Sequence, residues 1–172
     1  YVEQYLDDVK KALDWAYQNG LYVILDMHQD LYSKIFGGDG MPPWTAVDNL
    51  VEPNQILTPW FLTYGTDEVK ASFDKFFNDP STMQAFVNVW KKVISRFKNH
   101  PAVIGYDLIN EPSHGNFGEP FSFETAVLTN YYKELITLLR QEDPSKLYFY
   151  EPVALSVNIG LPTGLGPLGI EG

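Results

Sequence analysis

Three short apolar runs, separated by stretches of helical periodicity, restrict this chain more than any other feature. They are Leu21-Tyr-Val-Ile-Leu25, Ala102-Val-Ile-Gly-Tyr-Asp-Leu-Ile109 and Lys146-Leu-Tyr-Phe-Tyr-Glu151. Runs of this length without strict polar alternation read as strands buried on both faces. Residues 1–19 carry Val2, Tyr5, Leu6, Val9, Leu13, Ala16 and Tyr17 at three- and four-residue spacing. Residues 81–98 do the same with Phe86, Val87, Trp90, Val93, Ile94 and Phe97, as do residues 123–141 with Leu128, Tyr131, Leu135, Leu138 and Leu139. That spacing predicts three amphipathic helices. Asn19-Gly20 supplies the left-handed stop of the first, and Ser81 is the expected N-cap of the second. Residues 67–77 are expected to add a fourth helix. Helices alternating with buried strands imply βαβ units and a parallel sheet.

Three parallel strands cannot close a barrel, which needs about 250 residues, and the chain has 172. The expectation is an α/β chain forming part of a (β/α)8 TIM barrel. Residue 1 falls inside a helical pattern, so the natural N-terminus is expected upstream. A stretch from Leu31 to about Thr66 is rich in Gly, Pro and Trp and has no sustained period. Connections this long inside a compact domain are usually functional loops.

Composition narrows the function. Apolar residues make up 45 % and charged residues 20 %, a globular balance. The net charge of −10 leaves no basic patch for phosphates and argues against a nucleic-acid partner. The absence of cysteine excludes disulfides, a thiolate metal site and a Cys nucleophile. No run of about 18 apolar residues marks a membrane span. Aromatic content is 15 %, and flat rings suit both cores and sugar-binding clefts.

All three strands end in reactive groups: His28 and Asp30 after the first, Asn110 and Glu111 after the second, Glu151 after the third. In parallel α/β architectures the carboxyl ends of the strands face the site. Pro112 cannot donate to a ladder and is expected to stop its strand directly after Glu111, with Asn110 as the hydrogen-bonding neighbour of that glutamate. Glu151-Pro152 can also be a plain strand end. His28 and Asp30 point the same way but lack a third ligand at a recognised spacing, so no metal site is expected. Gly37-Gly38-Asp39-Gly40 is a turn signal rather than a phosphate loop, because no Lys-Ser/Thr follows it. No cofactor is implied.

Tyr106-Asp-Leu-Ile-Asn-Glu-Pro112, preceded by Asn99-His-Pro101, resembles the fourth strand of retaining β-glycosidases of glycoside hydrolase family 5, in clan A. Asp26-Met-His-Gln-Asp-Leu-Tyr-Ser33, with Gly38-Asp-Gly40 and Pro43-Trp44, is more specifically similar to the endoglycoceramidase branch. The Asn-Glu-Pro is shared by many clan members, and the His-Gln-Asp segment carries the narrower resemblance. The resemblance spans nearly the whole chain and places it at about strands 3 to 5 of the barrel.

What the resemblance implies can be written residue by residue. Glu111 is the expected acid/base, protonating the glycosidic oxygen and then activating water. Asn110 is expected on the 2-hydroxyl of the sugar at the cleavage site, and His28 and Asp30 on other hydroxyls of that sugar. The alternative for His28 is a satisfied structural histidine. Trp44 is either a stacking platform or a loop-packing residue. His114 is placed to tune the acid/base or to contact the aglycone, and His100 reads as structural. The nucleophile lies on the seventh strand in this family, outside the chain. By itself the chain therefore holds half of the catalytic pair and is expected to be inactive; Glu151, on the fifth strand, is not its substitute.

The implied function is release of oligosaccharide from ceramide in glycosphingolipids, by a protein that the family suggests is secreted or extracellular. Ile35, Phe36, Met41, Trp44, Leu57, Trp60 and Phe61 offer an apolar surface for a lipid aglycone or a membrane face, or else pack the loop onto the barrel. The competing readings are a β-glucosidase, glucosylceramidase or endoglucanase of the same clan, and an inactive carbohydrate- or lipid-binding protein.

Overall fold

A computed structural model describes residues 2–47 and 56–170. A central parallel sheet of three strands, β1 (Val23–Asp26), β2 (Val103–Asp107) and β3 (Leu147–Phe149), is ordered β1-β2-β3. Helix α1 (Glu3–Gln18) precedes β1, α2 (Asp67–Asn78) and α3 (Pro80–Phe97) fill the first crossover, and α4 (Pro120–Phe123) and α5 (Thr129–Leu139) fill the second. The segment Glu124–Leu128 between α4 and α5 is a π-helix, and a short α6 (Ala154–Val157) follows β3.

Several sequence expectations are corrected here. β2 ends at Asp107 rather than at Glu111, although Leu108 and Asn110 still bond to the neighbouring segments. The N-cap before α3 is Asp79, not Ser81. The Asp79 carboxylate accepts from the Ser81 N–H at 3.1 Å and from the Thr82 hydroxyl at 2.7 Å, while Pro80 occupies the first helical position, where no N–H is needed. The apolar loop surface also divides. Phe36 and Met41 are buried in the core, whereas Trp44, Leu57, Trp60 and Phe61 are exposed. Residues 48–55 of that loop lie outside the described ones.

The core lies between the sheet and α2, α3 and α5. Trp90, fully buried on α3, packs edge-on against Tyr106 at 5.8 Å and donates its indole N–H to the Leu108 carbonyl at 3.1 Å. Phe73, Phe76, Tyr131, Tyr132 and Leu135 extend the same core. On α1 only Leu6 and Leu13 are buried, and Tyr5, Trp15 and Tyr17 stand in solvent. That helix is held to α3 and its end by ion pairs, Glu3–Lys92 at 2.7 Å, Asp7–Arg96, and Asp14–His100 at 3.1 Å.

Candidate active site

In-register pairing sets Asp26 beside Asp107 and Asp107 beside Phe149, so the carboxyl ends of the three strands lie level. Ladder-like bonding runs on past them: Met27 N–H to the Asp107 carbonyl at 3.0 Å, Leu108 N–H to that of Phe149 at 3.1 Å, and Asn110 N–H to that of Met27 at 3.3 Å. Segments 27–30 and 108–111 are thereby laced together above the sheet.

Gln29, to which the sequence assigned no role of its own, is the knot of this lacing. Its buried amide donates to the carbonyls of Asn110 and Glu111, both at 2.9 Å, and its oxygen accepts from the Tyr32 N–H at 2.8 Å. The Asn110 side chain returns a bond to the Gln29 carbonyl at 3.0 Å. The expected Asn110–Glu111 partnership is therefore replaced. A buried carbonyl needs a donor, and the Glu111 N–H is already taken by the Glu151 carboxylate at 2.7 Å. Glu151 is steadied through its own carbonyl, which accepts from Tyr132 at 3.0 Å. Glu111, half-buried, has φ +44°, a conformation that costs a residue with a Cβ about 1 kcal/mol or more and persists only where the surroundings enforce it.

His28 and Asp30 do come together. His28 Nδ1 is 2.9 Å from Asp26 and its Nε2 3.3 Å from Asp30. Burial works against charge on this imidazole, but the bonds to Asp26 and Asp30 outweigh it and raise its pKa above the ordinary value. A third group arrives from the Gly-rich turn, where Asp39 forms an isolated antiparallel bridge with Asp30. Ligand atoms of His28, Asp30 and Asp39 all lie within 4.8 Å of one another, a neighbour that linear spacing hid. Glycine is required on either side of Asp39: a Cβ at Gly38 would meet the Asp30 carbonyl at 1.7 Å, and Gly40 has φ +104°.

Asp107 sits at the root of the site. Burial, then the charges of Glu151 and Asp26, push its carboxyl up to about 7.

Beside Glu111 opens an apolar cleft of about 660 Å³. Trp60, Phe61, Leu62, Leu155 and Ile159 line it together with Glu111 and His114. Burial lowers the pKa of His114, and its Nδ1 is enclosed without a partner among the described residues. Trp44, 63 % exposed, lines neither this cleft nor the smaller hollow beside Asp30 and Asp39, whereas Trp60 lines both. The segment carrying Val153 and Leu155 is held by Glu124, fully buried on the π-helix. Its carboxylate accepts from the Val153 N–H and the Thr163 hydroxyl, each at 2.7 Å, and from the Gly164 N–H. A π-turn next to a functional cleft is a recurrent arrangement.

Residues 1–162 match the family described as Cellulase (glycosyl hydrolase family 5). The chain is 33 % identical over 138 residues to an endoglycoceramidase of Cyanea nozakii, covering 67 % of this chain and 27 % of that protein. It is 32 % identical over 181 residues to one of Hydra vulgaris, covering 89 % and 35 %. It is also similar to endo-glycoceramidase II from Rhodococcus sp., solved as a five-membered iminocyclitol complex, with TM-score 0.87 and 36 % identity over 96 % of this chain and 39 % of that one. The same Rhodococcus enzyme has been solved as a ganglioside GM3 complex. The chain thus spans about a third of the length of these relatives. Its parallel strands and covering helices are part of a (β/α)8 barrel, and the chain belongs to glycosyl hydrolase family 5.

Proposed function

We propose that this chain is the central part, about strands 3 to 5, of the catalytic domain of a retaining β-glycosidase that cuts glycosphingolipids between oligosaccharide and ceramide. The observation that carries this reading is the seat of Glu111. It lines the apolar cleft and is tied through Gln29 to the segment bearing His28 and Asp30. A lipid aglycone on one side and a hydroxyl-rich sugar on the other match those two surroundings. The partial-barrel reading is supported by the open sheet, whose edge strands leave Ile24 and Leu147 exposed, and by the uncovered aromatic face of α1.

In this mechanism Glu111 gives its proton to the glycosidic oxygen as the bond to the anomeric carbon breaks. A second glutamate, outside this chain and about 5–5.5 Å away, attacks that carbon and forms the glycosyl-enzyme. Glu111 then takes a proton from the water that releases the sugar. His28, Asp30 and Asn110 bind hydroxyls of that sugar, with Asn110 on the 2-hydroxyl. Trp44 and Trp60 offer exposed ring faces to glycan or lipid, and His114, which lines the cleft, contacts the aglycone. The exposed rim Leu57, Trp60, Phe61 and Leu62 suits contact with a membrane surface from which the lipid is drawn.

The test is incubation of the complete protein with a ganglioside and, separately, with a soluble β-glucan. Release of free oligosaccharide and ceramide, abolished by Glu111→Gln, supports the reading. Cleavage of the glucan alone assigns it to the endoglucanases, and binding without turnover assigns it to the lectin-like alternative.

A further inference from the structure

Two acceptor groups, Asp107 and Glu151, meet where Glu151 also receives the Glu111 N–H. Asp107 closes β2, and its Oδ1 is enclosed with no donor among the described residues. The carboxyl within its hydrogen-bonding reach is that of Glu151, an acceptor as well. Two ionised carboxylates in contact repel, and one proton between them replaces the repulsion with a charge-assisted hydrogen bond. Glu151 has a second duty. Its carboxylate receives the Glu111 N–H at 2.7 Å, at the residue whose backbone is held at φ +44°.

We propose that Asp107 is a positioning residue that keeps its proton and donates it to Glu151, so that Glu151 stays seated on the Glu111 N–H and holds the acid/base in its left-handed turn. The inference rests on the reading of Glu111 given above. The titratable groups facing Asp107 are Asp26 from β1, Glu151 beyond β3 and Tyr132 from α5, and all are acids. The charges of Asp26 and Glu151 favour the protonated carboxyl, as burial does, and Tyr132 stays neutral. Loss of the proton would drive Glu151 off its partner and release the strained turn. The relay then runs from the sheet, through Asp107 and Glu151, to the Glu111 backbone, without touching substrate.

The decisive experiment is infrared titration of the complete protein together with Asp107→Asn. The expected result is a protonated-carboxyl stretch below neutral pH that fades near neutrality and is missing in the variant. Kinetics supply a second readout. Asp107→Asn retains an N–H donor and should keep kcat within about threefold. Asp107→Leu should lower kcat roughly 10- to 100-fold with little change in KM, because it displaces the acid without removing a sugar contact. Absence of the band, or an Asn variant as impaired as the Leu variant, overturns the proposal. Should Asp107→Asn not fold, Glu151→Gln replaces it: the band must then titrate at lower pH, and an unmoved titration is equally fatal. A band in a protein that cleaves no glycoside would sink the role of Glu111 and leave the proton-sharing pair intact.

Discussion

Gln29 donates its side-chain N–H to the carbonyl of Glu111 at 2.9 Å, across 82 positions of sequence. The same nitrogen holds Asn110, and the amide oxygen holds Tyr32, so one buried side chain joins the first strand's exit to the second's. Gln29→Leu leaves these backbone groups without partners. The expected loss is about 2–3 kcal/mol of stability. In the complete protein kcat should fall more than KM rises. Urea unfolding and steady-state kinetics check the two effects separately.

Glu111→Gln removes the transferable proton and retains the shape of the side chain. Turnover of glycolipid should drop by about 10²–10⁴. An aryl glycoside with a strongly acidic leaving group needs no proton in the first step, so its bond-breaking burst should survive. A burst lost equally with both substrates would argue against the acid role.

Trp60 and Leu155 both line the apolar cleft, 48 % and 60 % exposed. A lipid chain seated there would cover part of each. Replacing either with Ala should cost about 1 kcal/mol of binding, a roughly fivefold rise in KM for a ganglioside. KM for a short soluble glycoside should not move, and a parallel rise there would place these side chains on the sugar instead.

Asp107 makes stability depend on pH in an unusual direction. Its folded value near 7 lies above the ordinary 3.8, so between those two values the folded state binds more protons than the unfolded one. Stability therefore falls as pH rises through this window and is level above it. With allowance for solvent screening of a half-buried group, the fall is about 1–2 kcal/mol. Denaturant midpoints of the complete protein and of Asp107→Asn, compared on either side of the window, should show the decline only in the parent.

Glu124 anchors the segment that follows β3 through three donors from residues 153–164. Glu124→Leu leaves those donors buried and unpaired, an expected cost of about 3 kcal/mol. Faster hydrogen exchange confined to residues 153–164 would locate the damage. Uniform exchange throughout the chain would show that the anchor supports the whole fold.

The helix–strand alternation was legible because each element states its own period locally, at three to four residues on the helices and as unbroken apolar runs in the strands. The candidate carboxylate at Glu111 was legible for the same reason, since Asn-Glu-Pro marks a strand exit. Element ends were less so. Leu108 and Ile109 look like strand because they are apolar, yet they and Pro112 are buried beyond the last sheet pair. Ser81 looked like a cap because residue type alone does not say which of two neighbouring acceptors reaches the free N–H groups; Asp79 does, with Pro80 starting the helix.

By itself, then, the sequence determined that strands and helices alternate, that the strands are parallel, and that polar groups stand at their exits; the burial it implied for all three strands holds for β2 alone, since Ile24 and Leu147 are exposed at the sheet edges. Only the tertiary structure decided which of those groups meet. Gln29, Asp39, Glu151 and Asp107 reach Asn110, Asp30 and Glu111 through sheet register, a glycine turn and backbone hydrogen bonds between distant segments. Such contacts follow from where the chain returns in space, and a local pattern, whose physics ends within a few residues, carries no record of that return.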